Sequence, residues 1–275
     1  MDNDGTFPRL DSTVINRQYF DYVYKKVIIS GNLLEEYSYD EPIRINGGTK
    51  NKLNKRKSDA ERTSEYKGRS INRAQNTIRR LVQANFGEYS KFITLTLNNQ
   101  NTFDIKSIKE CDLRFRLFIR SLRIKNPDLK YVVVREFQKK RGAVHYHLIT
   151  NLPFIQKEEL AEIWGRGFIR INKVTDTRGI GGYISKYLSK EFGDVRFKGV
   201  KTYIASRNLK RSLVYYGEEA ERILKQMIKP KELPSFEKPY RSKCNGMVYF
   251  SEYNLSHSVY TQKELNEIYR IFEEI

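Results

Sequence analysis

The chain has 275 residues, of which 39% are hydrophobic, so it is long enough to bury a core of its own. Lysine and arginine number 51 against 33 acidic residues, a formal net charge of +18, and with 19 tyrosines they suit a partner whose phosphates need neutralising and whose bases can stack. Ribosomal and capsid-type proteins share this charge, so composition predicts a nucleic-acid partner and no particular activity.

The first 86 residues are predicted to form a basic extension that ends in a helix. Short apolar runs at 27–29 and 43–45 indicate a few short strands whose pairing the sequence does not assign. Ser58 precedes Asp59 and Glu61, which is typical of a capped helix start, and the helix is expected to run towards Asn85.

This helix is either a solvated basic helix or a DNA contact. We favour the DNA contact, because the helix leads straight into the segment that carries the candidate chemistry. The candidate DNA-binding residues of this extension are Lys55, Arg56, Lys57, Arg73, Arg79 and Arg80.

Residues 87–192 are predicted to form the central domain. The elements expected in order are a strand at 92–97, a helix at 104–122, a hairpin at 130–150, a helix at 156–164 and a strand at 168–174. The resulting order β, α, β, β, α, β is typical of an α+β fold with a ferredoxin-like antiparallel sheet and helices on one face.

The hairpin carries a candidate metal site. Its sequence is KYVVVREFQKKRGAVHYHLIT, in which two strand-like runs flank the turn residues KKRG. His145 and His147 are two apart, so both imidazoles point to one face of the strand. If Gln138 pairs with Ala143, Glu136 falls opposite His145 on that face. Two imidazoles and one carboxylate predict a site for Mn²⁺ or Mg²⁺.

The ordinary alternative is that these histidines are plain strand residues and that Glu136 is a solvated charge. The metal site is favoured because the chain has only three histidines and two of them fall in this strand. The carboxylate, in addition, arrives from the paired strand by geometry alone. The third histidine, His257, lies in a polar stretch and is interpreted as structural or incidental.

A further helix is predicted at 181–191, with the sequence GGYISKYLSKE. On a helical wheel Tyr183, Lys186, Tyr187 and Lys190 share one stripe, so two hydroxyls and two ammonium groups line one edge. Tyrosines at this spacing are most often packing residues. Here they follow the candidate metal face in a basic chain, which favours a role in the chemistry.

Residues 193–275 are predicted to form a C-terminal extension. It contains the motif SRNLKRS, an acidic helix at 218–228, a hairpin centred on Asn245-Gly246 and an amphipathic helix at 261–275. Further candidate DNA-binding residues in the motif are Arg207, Lys210 and Arg211.

Several classes of protein are not supported by the chain. Cys111 and Cys244 form no CxxC or other spaced set, which argues against a disulfide framework or a thiolate zinc site. No apolar run approaches the roughly 18 residues that a membrane span needs, and the first residues are acidic and polar. No GxxxxGK[ST] phosphate loop is present. We expect a cytoplasmic protein without a helicase or a membrane partner.

Five segments together resemble a known family. In order they are FITLTL, EFQKKRGAVHYHLI, WGRGFIRI, YISKYLSK and SRNLKRS, and they resemble the Rep proteins of small phages and rolling-circle plasmids, replication initiators of the HUH endonuclease superfamily. The resemblance covers about residues 85–212. The doubled YxxK is similar to the two-tyrosine helix of initiators from small isometric single-stranded DNA phages. Single-tyrosine relatives are also common, which leaves the roles of Tyr183 and Tyr187 open.

The resemblance implies an enzyme that nicks and joins DNA with Mg²⁺ or Mn²⁺ as cofactor. The ion held by the hairpin ligands would bind the scissile phosphate. Tyr183 or Tyr187 would attack it and leave a 5′-phosphotyrosine and a free 3′-hydroxyl, so that ends can be rejoined without ATP. Lys186 and Lys190 would stabilise the phosphate or lower the pKa of a neighbouring phenol.

The implied partners are single-stranded DNA at a replication origin and a host helicase and polymerase, in the cytoplasm of a bacterium or phage host. A transposase or relaxase of the same superfamily is the near alternative. The alternative of a different class is a non-enzymatic module that binds single-stranded RNA or DNA, since the same order of elements serves that function. Metal-dependent cleavage would separate the enzymes from the binding module.

Overall fold

The computed structural model describes residues 22–45, 59–100, 102–174, 195–197, 200–201, 203–230 and 232–255. The fold is α+β, with two antiparallel five-stranded sheets and four α-helices in the described residues. The elements in chain order are β1 (Tyr22–Ser30), β2 (Leu33–Arg44), α1 (Asp59–Asn85), β3 (Lys91–Leu95), α2 (Ile108–Lys125), β4 (Tyr131–Phe137), β5 (Val144–Thr150), α3 (Lys157–Trp164), β6 (Ile169–Lys173), a short 3-10 helix (Val195–Phe197), β7 (Tyr203–Ala205), β8 (Leu213–Tyr216), α4 (Gly217–Met227), β9 (Phe236–Ser242) and β10 (Gly246–Asn254).

The first sheet joins the two ends of the chain, with strand order β8-β1-β2-β10-β9. The extensions 1–86 and 193–275 were predicted separately, yet segments of both pair in this one sheet. The domain boundaries themselves stay a prediction. Helix α4 covers one face of the sheet, where Ala220, Ile223 and Met227 pack against Val27 and Leu34.

The prediction of a few short strands near the N-terminus was wrong in length. β1 and β2 together cover nearly all of residues 22–44, far beyond the apolar runs at 27–29 and 43–45. The half-buried polar residues of β2 remain in the strand because β1 and β10 pair with it on both sides and satisfy its backbone. The hairpin at Asn245-Gly246 is confirmed, and Pro239 is accommodated because β9 is an edge strand.

The second sheet has strand order β6-β3-β5-β4-β7. The predicted order of strand, helix, hairpin, helix and strand is confirmed between β3 and β6, and β7 adds a fifth strand beside β4. Helix α2 begins four residues later than predicted, because Ser107 accepts a hydrogen bond from the backbone N–H of Glu110 and so caps it there. The helix then continues to Lys125.

Helices cover both faces of the second sheet. On one face α2 and α3 pack over an aromatic core, in which the rings of Phe115 and Tyr146 stack with centroids 4.8 Å apart. On the other face Ile78 and Val82 of α1 pack over Phe92 and Ile149. Towards the β4–β5 turn that second face changes from apolar to polar, and the candidate site lies there.

Helix α1 also contacts the first sheet. Arg79 and Arg80 both bond to Glu35 of β2, whose carboxylate is fully buried. The β1–β2 turn fits closely against the helix at Gly31, which has φ 59°, and a Cβ there would collide with the carbonyl of Gln83. The helix therefore holds the two sheets together. None of the described helices has the length and apolar character needed to cross a membrane.

Candidate metal-binding face of the second sheet

The predicted register of the β4–β5 hairpin is confirmed. Glu136 lies opposite His145 and Val134 lies opposite His147. The turn closes as expected, with the N–H of Gln138 donating to the carbonyl of Ala143 at 2.9 Å. Glu136 and the two histidines therefore share one face of the sheet, as the period-2 argument required. We call these three residues, with Thr94, the histidine face.

His147 is the most tightly held member of the histidine face. Its side chain is buried, its Nε2 lies 2.8 Å from Oε2 of Glu136, and its Nδ1 lies 3.3 Å from the hydroxyl of Thr94. The ring of Phe92 stacks nearly parallel to the imidazole, with centroids 6.1 Å apart. Side chains from β3 and β4 thus fix the position of this imidazole on β5.

Thr94 determines which nitrogen of His147 is available. If the Nδ1–H donates to the hydroxyl of Thr94, the lone pair on Nε2 faces the Glu136 carboxylate, a geometry that favours a cation between them. With the other tautomer, Nε2–H donates directly to Glu136. The sequence analysis missed Thr94, and the signal that finds it is the β3–β5 register, which places Thr94 opposite His147.

His145 has the opposite character, because its Nε2 is buried and bonds to no described residue. Burial lowers the pKa of this imidazole to about 4, and the neighbouring His147 and Arg141 lower it further than Glu136 can raise it. The ring is therefore neutral near pH 7 and offers a lone pair. A buried nitrogen without a hydrogen bond is costly, which is a reason to expect a ligand at this atom.

The donor set of the histidine face suits a divalent cation. Two neutral imidazoles and a carboxylate are ligands that Mn²⁺ accepts and that Mg²⁺ can share with water. In the arrangement as it stands, no group of three or more His, Cys, Asp or Glu side chains among the described residues forms a metal cluster, and Glu136 is bonded to His147. An ion would have to replace that bond, and the metal site stays a prediction.

Two arginines that the sequence analysis did not assign lie beside the histidine face. Arg170 on β6 is exposed and sits opposite Thr94, so its side chain leaves the sheet on the same face. Arg141 in the β4–β5 turn donates to the side chain of Gln138 at 2.8 Å and to the carbonyl of Leu97 at 2.9 Å. Both bring positive charge to the place where a phosphate would approach.

A buried ion pair supports β4 from the opposite face. Arg135 is 3% exposed and forms a fork with Asp112 of α2, at 2.7 Å from Nε and 2.6 Å from Nη2. Its third nitrogen donates to the carbonyl of Lys201, just before β7, at 2.6 Å. The hydroxyl of Tyr146 donates to Asp112 at 3.0 Å, and burial raises the pKa of that phenol. The network joins α2, both hairpin strands and the approach to β7.

Some predicted residues lie outside the described part of the chain. They are Tyr183, Lys186, Tyr187, Lys190, Lys55, Arg56, Lys57 and His257, together with the helix predicted at 261–275. The described residues on either side of the tyrosine segment belong to the second sheet, with β6 at one edge and β7 at the other. The roles of the tyrosines and lysines stay predictions.

The predicted DNA-binding residues of α1 differ from one another in their surroundings. Arg73 is exposed. Arg79 bonds to Glu35 and Glu252, and Arg80 bonds to Glu35 and to the hydroxyl of Tyr37 at 3.0 Å, so both guanidinium groups join α1 to the first sheet.

The SRNLKRS motif lies at the end of the second sheet that is remote from the β4–β5 turn. Ser206 bonds to the backbone of Tyr131, and Asn85 of α1 bonds to the backbone of Lys210 at 2.8 and 2.9 Å. The side chains of Arg207, Lys210 and Arg211 are exposed. They are accessible to a polyanion, and their DNA contact stays a prediction.

Comparison with known proteins agrees with the position of this site. A family model described as replication-associated protein ORF2 matches residues 90–192, which is less than half of the chain. The matched segment contains β3 to β6, the whole histidine face and the predicted tyrosine helix. No curated protein and no solved structure matched the chain. The family match supports a replication initiator family and a role in DNA replication.

Proposed function

We propose that the protein nicks and rejoins one strand of DNA at a replication origin, through a 5′-phosphotyrosine intermediate, and thereby starts and ends rolling-circle replication of a phage or plasmid. The observation that carries this proposal is the convergence of Glu136, His145 and His147 on one sheet face inside the segment that matches replication-associated proteins.

The topology supports assignment of the core to the HUH superfamily. The β3-α2-β4-β5-α3-β6 unit has strand order β6-β3-β5-β4, which is the order of a ferredoxin-like antiparallel sheet. The histidines lie on a central strand of that sheet, where neighbouring strands can orient them. This is the arrangement that the sequence resemblance led us to expect.

His145, His147 and Glu136 would hold the divalent ion. Bound there, Mg²⁺ or Mn²⁺ would polarise the scissile phosphate and offset the charge that develops on it. The protein supplies the remaining conditions. Thr94 orients His147, burial keeps His145 unprotonated, and Arg170 adds a cation on the same face.

In the proposed reaction a phenol oxygen of Tyr183 or Tyr187 forms a bond to phosphorus and the bond from phosphorus to O3′ breaks. The phenol proton is lost and the leaving O3′ ends as a hydroxyl, so charge and atoms balance. Attack of a 3′-hydroxyl on the phosphotyrosine reverses the step, which explains joining without ATP. Lys186 or Lys190 would stabilise the phosphate charge.

The decisive experiment offers the full chain a pool of single-stranded oligonucleotides from the DNA that flanks its gene, with Mn²⁺ or Mg²⁺. We expect one oligonucleotide to be cut at one position and to give a protein–DNA adduct that survives denaturation. Peptide mapping should locate this adduct in residues 181–191. DNA binding without a cut or an adduct would contradict the proposal and favour the non-enzymatic binding module.

The same experiment separates the superfamily alternatives. A replication initiator should join the retained 5′ end to a newly supplied 3′-hydroxyl and so close a circle. A transposase should instead join it to target DNA that does not come from the origin. A relaxase shares the nicking chemistry and would be distinguished by cutting only at a transfer origin.

A further inference from the structure

The first sheet carries an aromatic surface on the side that faces α1. We call it the aromatic face, and its residues are Lys26, Tyr37, Tyr39, Phe236, Lys238, Tyr240 and Phe250. Residues directly opposite one another in antiparallel strands share a face. Lys26, Tyr37, Phe250 and Lys238 are partners in turn, and so they form one row across four strands.

The rings of this face form a continuous series. Tyr37 stacks on Tyr39 with centroids 6.5 Å apart and contacts Phe250 at 5.0 Å, and Phe250 contacts Phe236 at 6.1 Å. The series is most open at the edge strand β9, where Phe236 is 50% and Tyr240 is 42% exposed. Half-exposed rings on an edge strand can accept another flat ring from solvent.

The charge of the face is positive. Its acidic residues are already paired, since Glu35 bonds to Arg79 and Arg80 and Glu252 bonds to Arg79. Lys26 places its ammonium group 4.1 Å from the centre of the Tyr37 ring, and Lys238 is exposed on β9. Neither lysine has a carboxylate partner among the described residues. Two lysines therefore remain to attract an anion beside exposed rings.

We propose that the aromatic face is a second DNA-binding surface, which holds single-stranded DNA by stacking bases on Tyr240 and Phe236 and by bringing Lys238 to the phosphates. Aromatic rings with neighbouring cations are the combination by which proteins hold single strands without sequence preference. Tyrosines and lysines on one face fit a polyanion with flat bases better than an apolar protein partner, which would favour aliphatic residues.

The position of α1 relates this surface to the histidine face. Ile78 and Val82 pack on the second sheet, whereas Arg79 and Arg80 bond to the first. The two surfaces therefore lie on the two sides of one helix. A strand that is held at the histidine face can continue around α1 to the aromatic face, which would keep the displaced strand on the protein after a cut.

The test uses the full chain and a labelled oligothymidine of roughly 16 nucleotides, the upper end of the usual site size, with affinity measured by fluorescence anisotropy. Tyr240→Ala is compared with Tyr249→Ala, an exposed tyrosine on the opposite face of the same hairpin. Lys238→Ala is compared with Arg241→Ala, an exposed cation on β9 that also points to the opposite face. Each pair removes a similar group from the same hairpin, so a general loss of folding would affect both members.

We expect Tyr240→Ala to raise Kd at least about fivefold, the effect of losing one stacked base, and Tyr249→Ala to leave Kd unchanged. Lys238→Ala should reduce the salt slope by about 0.7, and Arg241→Ala should not. An abasic oligonucleotide should bind the wild type more weakly and Tyr240→Ala no differently. Equal effects within either pair, or no loss on removal of the bases, would overturn the proposal.

Two further outcomes identify other occupants. Tighter binding to an RNA of the same length than to DNA would mean that the face serves RNA. A change in self-association in Tyr240→Ala, with unchanged DNA affinity, would assign the face to contact between copies of the chain. Either result would overturn the assignment to DNA. Because the test measures binding, it gives an answer even if the protein does not nick any DNA.

Discussion

The Glu136 carboxylate lies 2.8 Å from Nε2 of His147, although its direct cross-strand partner is His145. The contact is diagonal, and it leaves Nε2 of His145 buried and without a described partner. A divalent ion bound by all three side chains would satisfy that nitrogen and would replace the direct bond between Glu136 and His147. The histidine face thus contains a defined reason to bind a cation.

The first prediction concerns the metal. Cleavage should require Mn²⁺ or Mg²⁺ and should stop in EDTA, because the ligands have no other means of polarising the phosphate. The double variant with His145→Ala and His147→Ala should lose cleavage and keep most of its DNA affinity. His257→Ala, which removes the one other histidine in the sequence, is the matched control. Undiminished cutting by the double variant in EDTA would disprove the metal site.

The second prediction concerns Thr94. Thr94→Val removes the hydroxyl next to Nδ1 of His147 and keeps the shape, so metal affinity should fall by about 10- to 100-fold, the usual effect of losing such a supporting bond. Isothermal titration with Mn²⁺ measures this directly. Thr94→Ser retains the hydroxyl and should restore binding. Equal affinities for the valine and serine variants would show that the hydroxyl has no role.

The third prediction concerns stability. Asp112→Ala leaves the buried Arg135 guanidinium without its carboxylate, and removal of one partner from a buried pair costs about 3–5 kcal/mol. Glu159→Ala breaks the exposed pair with Lys125 and should cost less than about 1 kcal/mol. Urea unfolding compares the two free energies. Similar losses in both variants would mean that the Arg135 network contributes no more than a surface pair.

The local parts of the fold could be predicted from the sequence. The register at Glu136 and His145 followed from turn chemistry and period-2 alternation, both of which act over a few residues. The helix that begins after Ser107 was expected from its apolar spacing, and only its first turn was misplaced. These features depend on neighbours in sequence.

The features that could not be predicted depend on contacts between distant residues. Nothing near Tyr37 indicates that it will pair with Phe250, more than 200 residues later. Thr94 became part of the site only through the β3–β5 register, and Arg135 found Asp112 across the layer between strand and helix. Long-range pairing of this kind leaves little local signal in one sequence.

The fourth prediction concerns the basic residues before α1. Replacing Lys55, Arg56 and Lys57 by alanine should flatten the dependence of log affinity on log salt, by about 0.7 for each phosphate that the variant no longer neutralises, without moving the cut. Arg79→Ala should instead reduce stability, because its partner Glu35 is fully buried. A salt slope that the triple variant does not change would place the DNA-binding surface elsewhere.

The last prediction concerns the tyrosines. Tyr183 and Tyr187 are four residues apart, so on a helix about 40° separates them and both hydroxyls can reach one phosphate in turn. An initiator with two nucleophiles would use one to open the circle and the other to cut after a round of synthesis. Tyr183→Phe and Tyr187→Phe should therefore each keep some nicking of an oligonucleotide, while the double variant keeps none.

Peptide mapping of the DNA adduct distinguishes the possible outcomes. Adducts on both tyrosines would support alternation between Tyr183 and Tyr187. If a single phenol is the nucleophile, one single variant will be as inactive as the double variant, the other will be close to wild type, and every adduct will lie on one residue. Cleavage with no adduct on either tyrosine would mean that the predicted helix only packs, and that the nucleophile must be sought elsewhere.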